Sequence, residues 1–154
     1  MVDMVGDRLP TFDQQWVDII KGSWDFLGLN HYTTELVYPD PDAQGEGWYV
    51  DQKSKTYQDP AWPNAASSWL KTVPWGLRKL LVWIKDTYGN PEVIVTENGF
   101  SDFEHVKLND TGRVYYYTNY INQMLRAVNE DGCHVTGYFA WSLLDNFEWA
   151  LGYT

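Results

Sequence analysis

Residues 93–99 read Val-Ile-Val-Thr-Glu-Asn-Gly, and the expected fold depends on this stretch. Three β-branched residues in a row predict a short, buried strand, and the Asn-Gly that follows indicates a turn. Glu97 is therefore predicted to lie where the strand ends. In parallel α/β sheets and barrels this end carries the reactive side chains, because the strand bodies are packed away. The alternative is that Glu97 is a solvated residue at the start of a loop.

The composition narrows the classes of partner. The chain has 11 Lys and Arg against 21 Asp and Glu, a formal net charge of −10 that disfavours nucleic acid. No stretch approaches the roughly 20 apolar residues of a membrane span. The 9 Trp, 11 Tyr and 6 Phe exceed what a core of 154 residues usually needs, and aromatic rings can support sugar faces as well as pack. An uncharged or cationic ligand is favoured.

The sequence gives no sign of a metal or another cofactor. Cys133 is the only cysteine, which excludes an intrachain disulfide and a cysteine-based zinc site. His31, His105 and His134 lie far apart in the chain and match no metal-binding pattern. We therefore expect the site to work without a metal or cofactor.

A second buried strand is predicted within residues 24–34, where an apolar run gives way to polar and aromatic residues. If this strand is parallel to the first, Asn30 and Tyr32 lie at the same end as Glu97. The alternative is that Asn30 only forms a turn and Tyr32 only closes off the strand. Residues 9–21 predict a short helix capped by Thr11 or Asp13.

Residues 39–74 are predicted to form one long loop near the site. Their composition shifts to Pro, Asp, Gly, Gln and Ser, and no regular period lasts more than a few residues. Long loops inside compact domains are usually functional, so this one is a candidate wall or lid. A disordered linker is the alternative, but Trp48, Trp62 and Trp69 argue against it.

Two amphipathic helices and a third strand follow. The first helix is predicted from Pro74 to Tyr88, with Thr72 as its cap. Its apolar stripe comprises Leu77, Leu80, Leu81, Ile84 and Tyr88. Asp110 or Thr111 would cap the second, whose predicted buried face comprises Val114, Tyr117, Ile121, Met124, Leu125 and Val128. The third strand is predicted over residues 135–142.

This alternation of strands and helices predicts an α/β fold with a parallel sheet. Three strands are too few for a closed eight-stranded barrel, which takes roughly 250 residues. We therefore expect the chain to be part of a larger fold.

Four segments carry a resemblance to a known family. Residues 26–33 read Phe-Leu-Gly-Leu-Asn-His-Tyr-Thr, residues 74–77 Pro-Trp-Gly-Leu and residues 95–99 Val-Thr-Glu-Asn-Gly. Residues 141–150 read Trp-Ser-Leu-Leu-Asp-Asn-Phe-Glu-Trp-Ala and are followed by Gly152-Tyr153. Together they resemble the C-terminal part of family 1 glycoside hydrolases, the retaining β-glucosidases and their relatives. The resemblance implies part of a TIM (β/α)8 barrel, approximately strands six to eight with the intervening helices.

The resemblance also implies roles for individual residues. Glu97 matches the catalytic nucleophile of these enzymes, and Asn30 and Tyr32 match residues that contact or orient it. Three residues match the part of the site that binds the sugar, Trp141, Glu148 and Trp149. The implied reaction is hydrolysis of a β-linked glycoside such as a β-glucoside.

One part of the family's pattern is missing from the sequence. Its acid/base is a Glu in an Asn-Glu-Pro motif, whereas here Asn129-Glu130 is followed by Asp131. Residues 1–154 are therefore expected to be the C-terminal portion of a single barrel domain, inactive without the remainder of the barrel. Two alternatives stay open: a sugar-binding pseudoenzyme and a non-functional truncated product. Within the family, preference for glucosides, galactosides or thioglucosides depends on positions largely outside this sequence.

Two features of the sequence bear on the location of the parent protein. The acidic composition and the sequon Asn109-Asp110-Thr111 favour a secreted protein, although a cytoplasmic one is also compatible with them. The first eight residues do not read as a signal peptide, since a basic segment followed by an apolar one is lacking.

Overall fold

The computed structural model describes residues 5–45, 47–103 and 105–153. Its helices and strands are, in chain order, α1 (Gln14–Ile20), β1 (Leu27–Asn30), β2 (Leu36–Pro39), α2 (Trp48–Asp51), β3 (Ser54–Tyr57), α3 (Pro74–Tyr88), β4 (Val93–Asn98), α4 (Thr111–Asn129) and β5 (Val135–Ala140). Short 3-10 helices span Gly6–Arg8 and Trp149–Leu151. The described residues of Met1–Asp25 and Glu35–Pro60 form one compact unit, and those of Phe26–Thr34 and Ala61–Thr154 form another.

The second unit contains a parallel sheet in which β4 lies between β1 and β5. Asn30 of β1 is in register with Glu97 of β4, and Tyr138 of β5 with Val95. The predicted parallel arrangement of the three strands is confirmed, although β5 ends at Ala140 rather than at residue 142. The carboxyl ends of β1 and β4 therefore meet at one edge of the sheet.

Helix α3 begins and ends where the sequence predicts. Pro74 occupies its first turn, where the missing N–H costs nothing, and Gly89 ends it with a φ of 76°. Leu77, Leu81 and Ile84 are buried. Thr72 was predicted to cap the helix, but the capping position is Val73, which makes no side-chain hydrogen bond there. Tyr88, placed on the buried stripe, is exposed.

Helix α4 is capped as predicted, since the Asp110 carboxylate accepts a hydrogen bond from the Arg113 backbone N–H at 3.0 Å. Its predicted buried face was wrong in part. Tyr117 and Met124 of that face pack against the core, whereas Val114 and Leu125 are exposed. The fully buried residues of the helix are Tyr116, Tyr120 and Ala127. Apolar character alone did not indicate Tyr116 and Tyr120, whose hydroxyls have hydrogen-bond partners inside. Among the described residues, no helix is long and apolar enough to cross a membrane.

The core of the second unit lies between the sheet and these two helices. It brings side chains of α3 and α4 together with Val93 at the start of β4. Its buried members are Ala65, Leu70, Leu77, Leu81, Ile84, Val93, Tyr116, Tyr120, Ala127 and Cys133. Arg78 of α3 also forms ion pairs with Glu130 and Asp131, which follow α4. The packed helices fix the sheet edge that carries Glu97.

The first unit corrects the prediction of one long loop over residues 39–74. β2 and β3 pair in antiparallel fashion, with Leu36 opposite Tyr57, and α2 lies between them in the chain. Runs of four residues are too short to give a clear period, so the sequence did not reveal them. Within residues 58–73 the regular contact is a single bridge between Asn64 and Lys71. α1 is capped by Asp13, one of the two predicted caps.

Candidate active site

Glu97 lies at the carboxyl end of the central strand, next to Tyr32. The Tyr32 hydroxyl donates a hydrogen bond to Glu97 Oε2 over 2.5 Å. Tyr32 follows β1, and the His31 backbone N–H donates to the Glu97 carbonyl over 2.9 Å. The proximity predicted from parallel strands is therefore present in the structure. A phenol donor this close orients the carboxylate.

The protonation of Tyr32 suits this contact. Burial raises the pKa of the Tyr32 hydroxyl well above its usual range. The hydrogen bond to Glu97 and the negative charges of Glu97 and Glu148 raise this pKa further. Tyr32 also packs edge-on against the Trp69 ring, with 5.9 Å between ring centroids. The hydroxyl therefore stays protonated and remains a donor at neutral pH.

Asn30 lies in register with Glu97, but its side chain has a different partner. Its Oδ1 atom accepts a hydrogen bond from Thr96 Oγ1 over 2.6 Å. The bond ties the last residue of β1 to β4 beside Glu97. Contact of the Asn30 amide with the Glu97 carboxylate stays a prediction.

Trp141 and Glu148 form a second group close to Tyr32. The Trp141 indole Nε1–H donates to Glu148 Oε1 over 3.2 Å. The Trp141 backbone N–H donates to the Asn98 carbonyl over 2.8 Å, which ties the chain after β5 to the end of β4. The negative charge of Glu148 contributes to the raised pKa of the Tyr32 hydroxyl, so Glu148 lies within electrostatic reach of that hydroxyl. Such an arrangement suits a neutral ligand rich in hydroxyl groups.

Trp149 is the predicted site residue with the least contact to this group. Its side chain is 85% exposed, and its backbone has a φ of 48° at the start of the 3-10 helix. Glu148, immediately before it, donates its backbone N–H to the Gly152 carbonyl over 2.7 Å. This short loop fixes Glu148 and leaves the Trp149 ring accessible.

Asn98 and Gly99 differ from the turn that the sequence predicted. Asn98 is the last residue of β4 and is fully buried, and its amide donates to the His31 carbonyl. An added Cβ on Gly99 would lie 1.9 Å from the Trp141 carbonyl oxygen. Gly99 is therefore required for close approach of two backbones. Asn-Gly is also a common turn sequence, so the pattern alone could not distinguish these roles.

Comparison with known proteins identifies the family. The sequence model of glycosyl hydrolase family 1 matches residues 1–154. The chain belongs to glycosyl hydrolase family 1. Its match to this family covers both compact units of the structure.

Curated members of family 1 align with nearly all of the chain. β-Glucosidase 26 of Oryza sativa subsp. japonica is 42% identical over 164 residues, which cover 100% of this chain and 32% of that protein. Lactase/phlorizin hydrolase of Homo sapiens is 44% identical over 148 residues, covering 96% of this chain and 8% of that protein. The chain therefore spans a third or less of these relatives.

Solved structures of family 1 enzymes have the same fold. The rice Os3BGlu6 β-glucosidase superposes with a TM-score of 0.88 and 36% identity, covering 99% of this chain and 35% of that one. A mutant form of this rice enzyme was solved in a covalent complex with Glc, with a TM-score of 0.86, 35% identity and the same coverage. The parallel sheet and its helices are thus part of a TIM (β/α)8 barrel, as the sequence predicted.

Proposed function

We propose that residues 1–154 are the C-terminal portion of a retaining β-glycosidase, in which Glu97 is the nucleophile. The main support is the 2.5 Å hydrogen bond from Tyr32 to Glu97, at the carboxyl edge of the sheet in a family 1 chain. A covalent complex with Glc in the rice relative supports a glycosyl-enzyme intermediate. The proposed substrates are β-linked glycosides of the glucoside type.

In this mechanism a Glu97 oxygen attacks the anomeric carbon as the bond from that carbon to the leaving oxygen breaks. A second carboxyl group protonates the leaving oxygen and then removes a proton from the water that hydrolyses the glycosyl-enzyme. The sequence has no Asn-Glu-Pro segment to supply this group. The remainder of the barrel would provide it, so we propose that the isolated chain is inactive.

Tyr32 and Asn30 would prepare the nucleophile. A nucleophilic carboxylate must be ionised and must point one oxygen at the anomeric carbon. The Tyr32 hydroxyl contacts Oε2, so Oε1 would be the attacking oxygen. Asn30 lies beside Glu97 and would act in two ways, through its hydrogen bond with Thr96 and by contacting the substrate.

Glu148, Trp141 and Trp149 would hold the sugar. One Glu148 oxygen accepts the Trp141 indole hydrogen, which leaves the other oxygen for sugar hydroxyl groups. Hydrogen bonds to a carboxylate are stronger than those to a neutral acceptor. The Trp141 and Trp149 rings would pack against the apolar face of the sugar. The loop over residues 61–73 would form a wall of the site through Trp69 and Tyr32.

The test uses the complete protein that contains this chain, with the Glu97→Gln variant. Glu97→Gln should lower kcat roughly a thousandfold or more and keep sugar binding. Glu92→Gln is the matched control, since Glu92 lies just before the same strand and accepts a hydrogen bond from Thr136 Oγ1. It should remain close to the wild-type kcat. Sequencing the transcript upstream of the Met1 codon should reveal an in-frame Asn-Glu-Pro segment.

A mechanism-based 2-fluoroglycoside separates the alternatives. The proposal expects one label per protein, on Glu97, and none on the Glu97→Gln variant. Labelling of another residue would refute the role of Glu97. Sugar binding without hydrolysis or label would indicate a sugar-binding pseudoenzyme, and neither binding nor label would indicate a non-functional product.

A further inference from the structure

A group of polar side chains, most of them buried, contacts the backbone of His31 and Tyr32, and the proposed mechanism does not use it. It comprises Asn98 from β4, Tyr116 and Tyr120 from α4, and Tyr138 from β5; we refer to these four residues as the buried polar frame. Asn98, Tyr116 and Tyr120 are fully buried. Buried polar groups destabilise a protein unless they are paired, so their arrangement here is informative.

Asn98 is at the centre of the buried polar frame, and all its side-chain hydrogen-bonding groups are engaged. Its amide nitrogen donates to the His31 carbonyl and to the Tyr116 hydroxyl, each over 2.8 Å. Its Oδ1 atom accepts from the Tyr138 hydroxyl over 2.6 Å. The amide orientation is therefore determined, since exchanging its N and O would place an oxygen against the His31 carbonyl oxygen.

The two tyrosines of α4 contact the backbone of Tyr32, the residue that follows His31. The Tyr116 hydroxyl donates to the Tyr32 carbonyl over 2.7 Å, and the Tyr120 hydroxyl donates to the same oxygen over 3.1 Å. Tyr120 in turn accepts from the Val73 backbone N–H over 3.1 Å. The two rings stack with 4.1 Å between their centroids. The carbonyls of His31 and Tyr32 thus both accept hydrogen bonds from the buried polar frame.

We infer that the buried polar frame positions the Tyr32 hydroxyl against Glu97, and that Tyr116 is its principal positioning residue. This rests on the proposed role of Glu97. Residues 31 and 32 are held by Asn98 and Tyr116, while Glu97 is the chain neighbour of Asn98 and accepts the His31 N–H. The donor and the carboxylate are therefore attached to one rigid set of hydrogen bonds. Losing one bond would let Tyr32 move without removing any group that contacts the sugar.

The test is Tyr116→Phe in the complete protein, which removes one hydroxyl and keeps the ring. Tyr115→Phe is the matched control, because Tyr115 is the adjacent residue of α4 and is exposed. Tyr116→Phe should lower kcat roughly tenfold, the effect expected for one hydrogen bond, and leave KM within about twofold. Tyr115→Phe should match the wild type. A merely structural role would reduce the number of functional sites instead.

Labelling with the 2-fluoroglycoside counts those sites. Positioning predicts full label stoichiometry for Tyr116→Phe with a slower labelling rate, whereas partial stoichiometry with a wild-type rate would overturn the inference. If Tyr116→Phe does not fold, Tyr120→Phe is the milder variant, because Tyr116 still holds the Tyr32 carbonyl. It should slow labelling in the same direction by about twofold to threefold, and an unchanged rate would overturn the inference.

A second readout does not depend on activity. 3-Fluorotyrosine incorporated at position 32 reports the surroundings of that hydroxyl through its 19F chemical shift at neutral pH. The shift should change in Tyr116→Phe, because the donor is held less closely to Glu97, and should stay at the wild-type value in Tyr115→Phe. An unchanged shift in Tyr116→Phe would overturn the inference. If the wild-type protein neither hydrolyses nor labels, the proposed function fails, while the 19F chemical shift still decides the positioning.

Discussion

The hydroxyl of Tyr32 donates a hydrogen bond to the Glu97 carboxylate, and its removal gives the first prediction. Tyr32→Phe in the complete protein deletes the 2.5 Å hydrogen bond and keeps the edge-on packing against Trp69. Hydrogen bonds to charged groups contribute about 1.5–3 kcal/mol. We therefore expect kcat to fall roughly 10- to 100-fold, measured by steady-state hydrolysis of an aryl β-glucoside.

The control for this variant is Tyr88→Phe, since Tyr88 is an exposed tyrosine at the end of α3. It should keep the wild-type kcat. A Tyr32→Phe enzyme with wild-type kcat would show that the hydroxyl does not support the nucleophile.

His31 gives a prediction about stability and pH. Its side chain is buried, and its Nδ1 atom lacks a hydrogen-bond partner within the described residues. Burial lowers the pKa of His31 from 6.5 to about 4. Between these values the unfolded chain binds a proton that the folded protein does not, so stability falls as pH falls from about 6.5 to about 4. By linkage the loss reaches at most about 3 kcal/mol.

The measurement is urea unfolding of the complete protein at pH 7 and at pH 4, for the wild type and His31→Phe. Phe keeps a ring against Tyr120 and cannot be protonated. The variant should lose less stability between the two pH values than the wild type does. Equal losses would mean that His31 is not the group responsible, because other titrating groups are common to both proteins.

At the scale of elements, patterns of apolar residues predicted the strands of the parallel sheet and α3. They missed the short strands β2 and β3 and the buried tyrosines of α4. Three strands and α3 follow from apolar runs and from stripes at helical spacing. β2 and β3 were missed because four residues carry too little pattern. Part of the inward face of α4 was missed because Tyr116 and Tyr120 are paired with the Tyr32 carbonyl, which is distant in sequence.

The close approach of β4 and the chain after β5 gives the next prediction. An Ala side chain at position 99 would lie 1.9 Å from the Trp141 carbonyl oxygen, and backbone there cannot give way without moving the Trp141 ring. Gly99→Ala should destabilise the complete protein by about 1–3 kcal/mol, the range for overpacking. Because Trp141 would shift, KM should also rise.

The matched control is Gly112→Ala in the first turn of α4. A Cβ added at position 112 would lie 3.2 Å from the Phe100 side chain, which can move. Ala is also a better helix former than Gly. Its free energy of unfolding should change by no more than about 1 kcal/mol. Urea unfolding of both variants checks the pair, and equal effects would contradict the role assigned to Gly99.

At the scale of the molecule, the parallel topology is what made part of the site predictable. Once β1 and β4 are parallel, Tyr32 and Glu97 must lie at one edge, and the structure has them in contact. The group around Glu148 was implied by the family resemblance and not by spacing. The burial of Asn98 could not be predicted, because its partners His31 and Tyr116 come from separate segments of the chain.

The last prediction concerns residues 1–154 produced alone. Many large apolar side chains are exposed, among them Leu108, Val114, Leu143, Leu144 and Trp149. In the described sheet, β1 and β5 each pair on one side only. Unpaired strand edges and exposed apolar patches promote association. The isolated chain should therefore self-associate at micromolar concentration, and it should not hydrolyse glycosides because the second carboxyl group is missing.

Sedimentation velocity at two concentrations measures this association, and an aryl β-glucoside assay measures activity on the same samples. Replacing Leu143 and Leu144 by Ser should reduce association, because both side chains are exposed and Leu144 contributes only its carbonyl to the local hydrogen bonds. A monomer with one sharp unfolding transition would contradict the predicted association. Hydrolysis by that monomer would mean that Glu97 works without the rest of the barrel, which the two-carboxyl mechanism does not allow.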